Sequence, residues 1–264
     1  APMACRTPLA EGVPLPENDP RPKILLEGLQ EQIRLRTALQ GAARLSIEAS
    51  DLSFSRPQRM AVERPGRLRV EVLGLFDQVA ALVVTREHSF QFFDARTGHM
   101  EQGPVDPDIL WRVARIDLSP EEAVGLLLGA PSGQEGLSVA EAVAFRDGRI
   151  AFTRLDAQNI RRERYVFDAL GRLVETDRLT VLGRLIWKAR YSGFQPVSRS
   201  GGEAISFAFD VQLDFPRVEA HAKLAFKQVS LPEKLPDSLF VLQRVGMSDS
   251  GIAAGAYSFV GTRP

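Results

Sequence analysis

The chain has a single cysteine, Cys5, among 264 residues, which excludes an internal disulfide framework. Histidine is almost as scarce, and His88, His99 and His221 stand at no metal-ligand spacing. A nucleophile elbow, a phosphate-cradling glycine loop and a dinucleotide fingerprint are all missing, so no cofactor or metal is expected and the chain reads as noncatalytic. Net charge is missing too: 33 Lys and Arg balance 33 Asp and Glu, which removes the general attraction that binding to nucleic acid relies on. The basic run of Arg161, Arg162 and Arg164, interrupted by Glu163, reads as a solvated strand edge. No apolar run approaches the ~18 residues of a membrane span. The longest, VAALVV (79–84) and AVGLLLGA (123–130), fall far short.

What is present is a globular composition, 44% apolar and 25% charged, with enough apolar residues for a sizeable core. Three regions are expected. Residues 1–22 hold five prolines in RTPLAEGVPLPENDPRP (6–22) with no periodicity, the composition of an extended tether. Residues 23–245 are the folded domain. Residues 246–264, opening with GMSDSG (246–251), read as a flexible tail. Ahead of the tether, Ala4-Cys5 allows two readings: an incidental residue on a frayed terminus, or the end of a bacterial lipoprotein signal whose Cys5 is acylated.

Leu26, Leu29 and Ile33 share one face of an opening amphipathic helix that Gly41 is expected to end. Then the period changes from helical to alternating. Leu45 and Ile47 alternate with polar neighbours, a second strand is read near Met60 to Glu63, and Leu68, Val70 and Val72 follow against Arg67, Arg69 and Glu71. Residues 78–85 are apolar on both faces, the mark of a strand covered on both sides. SFQFFDA (89–95) continues the meander with Phe90 and Phe92 on one face. Two helix starts interrupt the strands: Asp106-Pro107, leading into Trp111, and the capping box Ser119-Pro120-Glu121-Glu122, leading into Leu127 and stopping at Gly129. Strands resume through hairpins at Asp147-Gly148 and Asp168–Gly171, and the longest, AISFAFDVQLDF (204–215), places Phe207, Phe209, Val211 and Leu213 on one face. The fold class is α+β: about ten or eleven antiparallel strands, an N-terminal helix and two short helices. A sheet of this size coils into a barrel, a half-barrel or two layers, and its concave apolar face has to be filled.

Two readings of that face stand side by side. Either the helices complete an ordinary packed core, or a partly vacant concavity accepts apolar ligand beneath the short helices as a lid. The residues that would line such a cavity are Leu45, Ile47, Leu68, Val70, Val72, Phe90, Phe92, Trp111, Leu127, Phe167, Trp187, Phe207, Phe209, Val211, Leu213 and Phe226. A separate feature is LGLFDQ (73–78), which puts Leu75 and Phe76 at a hairpin tip where Gly, Asn, Asp or Pro is usual. These two side chains either fold back over the end of the sheet or face outward.

The order of tether, helix, antiparallel strands, two short helices and more strands resembles the bacterial lipoprotein-sorting carrier and receptor LolA and LolB, with the tethered form closer to LolB. The resemblance covers roughly residues 23–245 in architecture, and the Trp-containing signatures of LolB are not visible. It implies a strongly curved half-barrel with lid helices and a noncatalytic carrier or receptor. Such a protein holds acyl chains in an apolar cavity and delivers them to the outer membrane. It implies Leu75 as a membrane hook with Phe76 beside it, and an acyl anchor at Cys5. Its implied partners are a lipidated protein or lipid acyl chains, the inner leaflet of the outer membrane and a periplasmic LolA-like carrier. Its implied location is the periplasmic side of the outer membrane. The alternative function is a structural or envelope-assembly lipoprotein whose sheet displays a protein-binding surface.

Overall fold

A computed structural model describes residues 12–50, 52–199, 202 and 204–242. Cys5 and residues 246–264 lie outside the described residues. The expectation of a curved α+β sheet with three helices holds, and the sheet is larger than expected, with fourteen strands. In chain order the elements are β1 (Val13–Pro14), α1 (Arg21–Leu35), β2 (Ala38–Ala49), β3 (Leu52–Glu63), β4 (Arg67–Leu73), β5 (Val79–Arg86), β6 (Ser89–Asp94) and β7 (His99–Pro104). Next come α2 (Ile109–Ala114), α3 (Pro120–Leu127), β8 (Ser138–Ala144), β9 (Ile150–Leu155), β10 (Arg161–Phe167), β11 (Leu173–Leu179), β12 (Leu185–Ser198), β13 (Ala204–Phe215) and β14 (Ala220–Ser230).

Strand neighbours run β1-β8-β9-β10-β11-β12-β13-β14-β2-β3-β4-β5-β6-β7, and β1 and β7 are left as open edges. Pairing of β14 with β2 joins the two meanders, from His221 opposite Glu48 to Ser230 opposite Gln40. The chain therefore leaves the sheet at the β7 edge and re-enters at β8, near the other edge. Residues 105–137, which carry α2 and α3, have to bridge the concave opening.

Several local expectations are corrected. Gly41 does not end a helix: α1 stops at Leu35, and Gly41 sits in β2 where a Cβ would lie 2.4 Å from the carbonyl oxygen of Gln228. The register shift in β14 between Phe226 and Gln228 brings that carbonyl close, and only glycine leaves room. The strand read near Met60 is far longer, because residues 52–57 pair with β2 alone and β4 joins only from Gln58 onward. Pro57, which lacks a donor, falls in the part of β3 that has a partner strand on one side only. Helix α2 begins at Ile109, since Asp106 turns its carboxylate onto the Asp108 amide at 2.9 Å and forms a turn first. Within the stretch read as tether, Val13–Pro14 pairs with β8.

Alternation sorts the side chains to two faces. On the concave side Ile47, Met60, Leu68, Val83, Phe207 and Val211 form one cluster with residues of the helices. On the other side Leu82 and Val84 of β5 meet Ala38, Ala61, Leu235 and Phe240. This explains why 78–85 is apolar on both faces. The segment 231–242 is held there by polar contacts: Glu63 accepts from the Leu235 amide at 2.7 Å, Arg69 donates to the Leu239 carbonyl at 3.0 Å, and Arg67 lies over the Phe240 ring at 4.3 Å.

Replacing Gly41 with Ala is expected to lower stability by about 1–3 kcal/mol, measured by urea unfolding, because the new methyl meets a backbone oxygen. Gly28→Ala, in α1 with open space around it, is expected to raise stability by about 0.4–1 kcal/mol in the same assay.

Candidate functional site

The sixteen side chains expected along a cavity divide by burial. Ile47, Leu68, Phe90, Phe167, Trp187, Phe207, Val211 and Phe226 are buried in the concave cluster, and Leu45, Val70, Phe92, Leu127, Phe209 and Leu213 are half-buried against it. Val72 and Trp111 are half-buried outside it. The rings of Phe207 and Phe226 meet edge-on with centroids 5.5 Å apart, and Phe209 approaches both. Ile109, Leu110 and Val113 of α2 and Ala123, Val124 and Leu126 of α3 belong to the same buried cluster. The lid helices thus complete the apolar packing over the sheet.

Polar contacts pin α3 at both ends. At its start the capping box forms as expected: Ser119 Oγ accepts from the Glu122 amide at 3.2 Å, and Glu122 Oε2 from the Ser119 amide at 3.0 Å. The other oxygen of Glu122 accepts from Trp187 Nε1 at 3.1 Å, tying the cap to the sheet. At its end, Arg36 Nη1 donates to the Leu128 and Gly129 carbonyls at 3.2 and 3.0 Å, and Nη2 to the Ser206 carbonyl of β13 at 2.8 Å. Arg64 reaches the Ala130 carbonyl, the Ser132 hydroxyl at 3.0 Å and the Arg36 carbonyl at 3.1 Å. Carbonyls at a helix C-terminus carry partial negative charge, and they stand in for the carboxylates that neither guanidinium pairs with among the described residues. Burial pulls both guanidinium pKa values down to about 10, so both stay charged at neutral pH. Beneath them the Tyr191 hydroxyl is buried without a hydrogen-bond partner, and burial raises its pKa.

A second polar group supports the loop after α3. Glu163, 1% exposed, accepts from Arg178 Nη1 and the Gln134 amide, both at 2.7 Å, and from Arg154 Nη1 and the Tyr165 hydroxyl, both at 2.8 Å. Its four acceptor sites are filled, which makes a buried carboxylate tolerable. Gly133 lies against this group; a Cβ there would sit 2.4 Å from Arg154 Nη1. The reading of 161–164 as a solvated strand edge is therefore corrected: β10 is flanked by β9 and β11, and Glu163 points into the protein. Arg161, Arg162 and Arg164 have carboxylate partners in Glu141, Asp156 and Glu175. Between the start of α3, Arg64–Pro65, the loop 131–134, Arg178 and Trp187 lies an opening of about 330 Å³ with walls of mixed polarity. Trp187 is the expected cavity residue that reaches it. Its volume stands at the low end of small-ligand pockets.

The hairpin tip is unambiguous. Leu75 is 80% exposed and Phe76 92% exposed, so neither folds back on the sheet. Gly74 N donates to the Gln78 carbonyl at 2.8 Å and closes the turn, while Phe76 and Asp77 take left-handed conformations at φ 57° and 58°. A bulky residue in that region costs on the order of 1–2 kcal/mol, and here no burial offsets it.

Arg36→Met removes the three guanidinium bonds that fasten the end of α3. Bonds from charged donors are worth about 1.5–3 kcal/mol, so amide exchange in α3 is expected to quicken by roughly 10- to 100-fold while β13 stays protected, read by hydrogen-exchange mass spectrometry. Unchanged exchange in α3 would mean that apolar packing alone holds the lid.

No protein-family model matches the chain, and no curated protein matches it by sequence. Solved structures do match in fold. A LolA superfamily protein from Nitrosomonas europaea superposes with a TM-score of 0.50 at 11% identity, covering 82% of this chain and 97% of that one. A putative outer membrane lipoprotein-sorting protein domain from Vibrio parahaemolyticus gives 0.55 at 8% identity, covering 82% and 94%. A DUF1329 family protein from Desulfovibrio piger gives 0.51 at 13% identity, covering 83% and 95%. The resemblance read from the order of elements holds at the level of fold: this chain shares the curved, open antiparallel sheet of a LolA superfamily protein.

Proposed function

We propose that the protein is a noncatalytic carrier or receptor for acyl chains, of a lipid or a lipidated protein, in the bacterial envelope. One observation carries the reading: an apolar concave sheet face is covered by a helix fastened at its ends through polar contacts. Apolar packing favours the closed state, yet an entering acyl chain can replace that packing, since burial is non-directional and scales with area. The polar fastenings then set how readily α3 lifts. In this closed arrangement the opening of about 330 Å³ beside Trp187 is the place where a chain end would enter.

Delivery follows from affinity differences. The sequence carries no phosphate-binding motif, so transfer would run from weaker to tighter binding, ending at the bilayer. Leu75 and Phe76 support a direct touch on that bilayer: burying each side chain is worth ~1.5–3 kcal/mol, enough for contact and too little for permanent anchoring. An acyl group at Cys5, if added in the cell, would supply the second signal that stable attachment needs, and the outer membrane is the proposed destination. No helix among the described residues is long and apolar enough to cross a membrane.

Organic extraction of protein purified from its native envelope is expected to release acyl lipid or a lipidated protein, identified by mass spectrometry. Lipid-free protein that also fails to bind a fluorescent fatty acid would sink the carrier reading. Leu75→Glu is expected to keep fatty-acid binding and to weaken vesicle association by at least about 10-fold in a flotation assay. Equal flotation of variant and parent would remove the tip from the delivery step.

A further inference from the structure

A second hairpin tip has the same character as the first. Between β11 and β12 the chain turns through Thr180, Val181, Leu182 and Gly183, and the turn is closed by Gly183 N to Thr180 O at 2.9 Å and Thr180 N to Arg184 O at 2.8 Å. Thr180 Oγ1 accepts from the Leu182 and Arg184 amides at 3.2 and 3.1 Å, and Gly183 takes the left-handed position at φ 71°. These bonds hold the turn without help from its two central side chains. Val181 remains 61% exposed and Leu182 73% exposed.

Topology puts the two tips at one end of the sheet. Every neighbouring pair is antiparallel, and six strands, β12, β13, β14, β2, β3 and β4, lie between the two turns. Counting directions along that series, β4 ends where β12 begins. At the usual spacing the two tips are separated by roughly 30 Å along the curved sheet. The other described turns at that end, at 156–160, 95–98 and 216–219, hold no exposed large apolar side chain. Of the described turns at the opposite end, only 168–171 carries one, Leu170 at 76% exposure.

The geometry points to a two-point membrane contact, in which Val181–Leu182 enters the lipid interface together with Leu75–Phe76. This inference rests on the membrane reading of the first tip. The proposed occupant is a lipid bilayer surface: two narrow apolar fingers, well apart and each backed by polar backbone turns, match a broad fluid surface that needs no shape complementarity. Arg184, exposed beside the second tip, suits the anionic lipid of such a surface. Touching at two separated points also fixes the orientation of the domain, which a single finger leaves free to swivel.

The test uses the full chain with Cys5→Ser and one new cysteine at a time, Phe76→Cys, Leu182→Cys or Leu170→Cys, labelled with an environment-sensitive dye. All three positions are exposed turns, so folding is not at stake. With phosphatidylethanolamine–phosphatidylglycerol vesicles, blue shifts and quenching by bilayer-embedded nitroxide lipid are expected at 76 and 182, and none at 170. A response at 76 without 182 overturns the second contact and leaves the first standing. A response at 182 without 76 overturns the two-point contact and removes the first tip from the membrane. Silence at both positions refutes both, and a response at 170 equal to that at 182 marks indiscriminate adsorption and overturns the inference. Val181→Glu with Leu182→Glu is expected to weaken vesicle binding at least tenfold while leaving fatty-acid binding unchanged.

Discussion

An apolar sheet face of this breadth cannot be left to water, and that constraint organises the molecule. The chain solves it through its own path. Having built one meander from β2 to β7, it must reach the other edge to begin β8, and the crossing segment is the one that carries α2 and α3. The cover is thus a consequence of connectivity, and it is joined to the sheet as a bridge at its two ends. Such a cover packs like a core while remaining the part of the core with the fewest strand-to-strand bonds to break.

The fastenings are unusual in their chemistry. Arg36 is buried and Arg64 half-buried, and both bond mainly to backbone carbonyls, whereas Arg154 and Arg178 share the carboxylate of Glu163. The first pair reads the end of a helix and the loop after it, and loses those partners if that end moves. The second pair is gathered on Glu163 inside the sheet, beneath the loop at Gly133, and Arg178 also lies 3.9 Å from Glu122 at the start of α3.

Much of the fold was legible because alternation is a direct readout of which face is wet. Phe207 to Leu213, Leu68 with Val70 and the two-faced 78–85 stretch fell on the faces their patterns predicted, and the capping box formed at Ser119, while Val72 lies outside the concave cluster. The misjudged parts share a cause. Gly41 and Pro57 carry local meanings, a helix stop and a strand break, that long-range contacts with Gln228 and the unpaired side of β3 override. Glu163 and the arginines looked solvated because most of their partners lie on other strands and loops, as far as 29 residues away in sequence, and leave no local trace. Arg36 and Arg64 carry no pattern at all: their partners are carbonyls, which every residue has. For the candidate site, the apolar concave face and the exposed tip were visible, while the polar contacts at the two ends of α3 were not. The one hint in the sequence was a Gly-containing loop, PSGQ, directly after a helix.

The segment 231–242 on the far side of the sheet has a mechanical meaning. By covering the back of β3, β4 and β5 with Leu235 and Phe240, and gripping Glu63, Arg67 and Arg69, it stiffens the ribbon that ends in the 74–78 turn. A ribbon packed on both sides bends little. The apolar finger at its end is therefore an outrigger on a braced strut, and a push on the finger passes into the body of the sheet as a tilt of the whole domain.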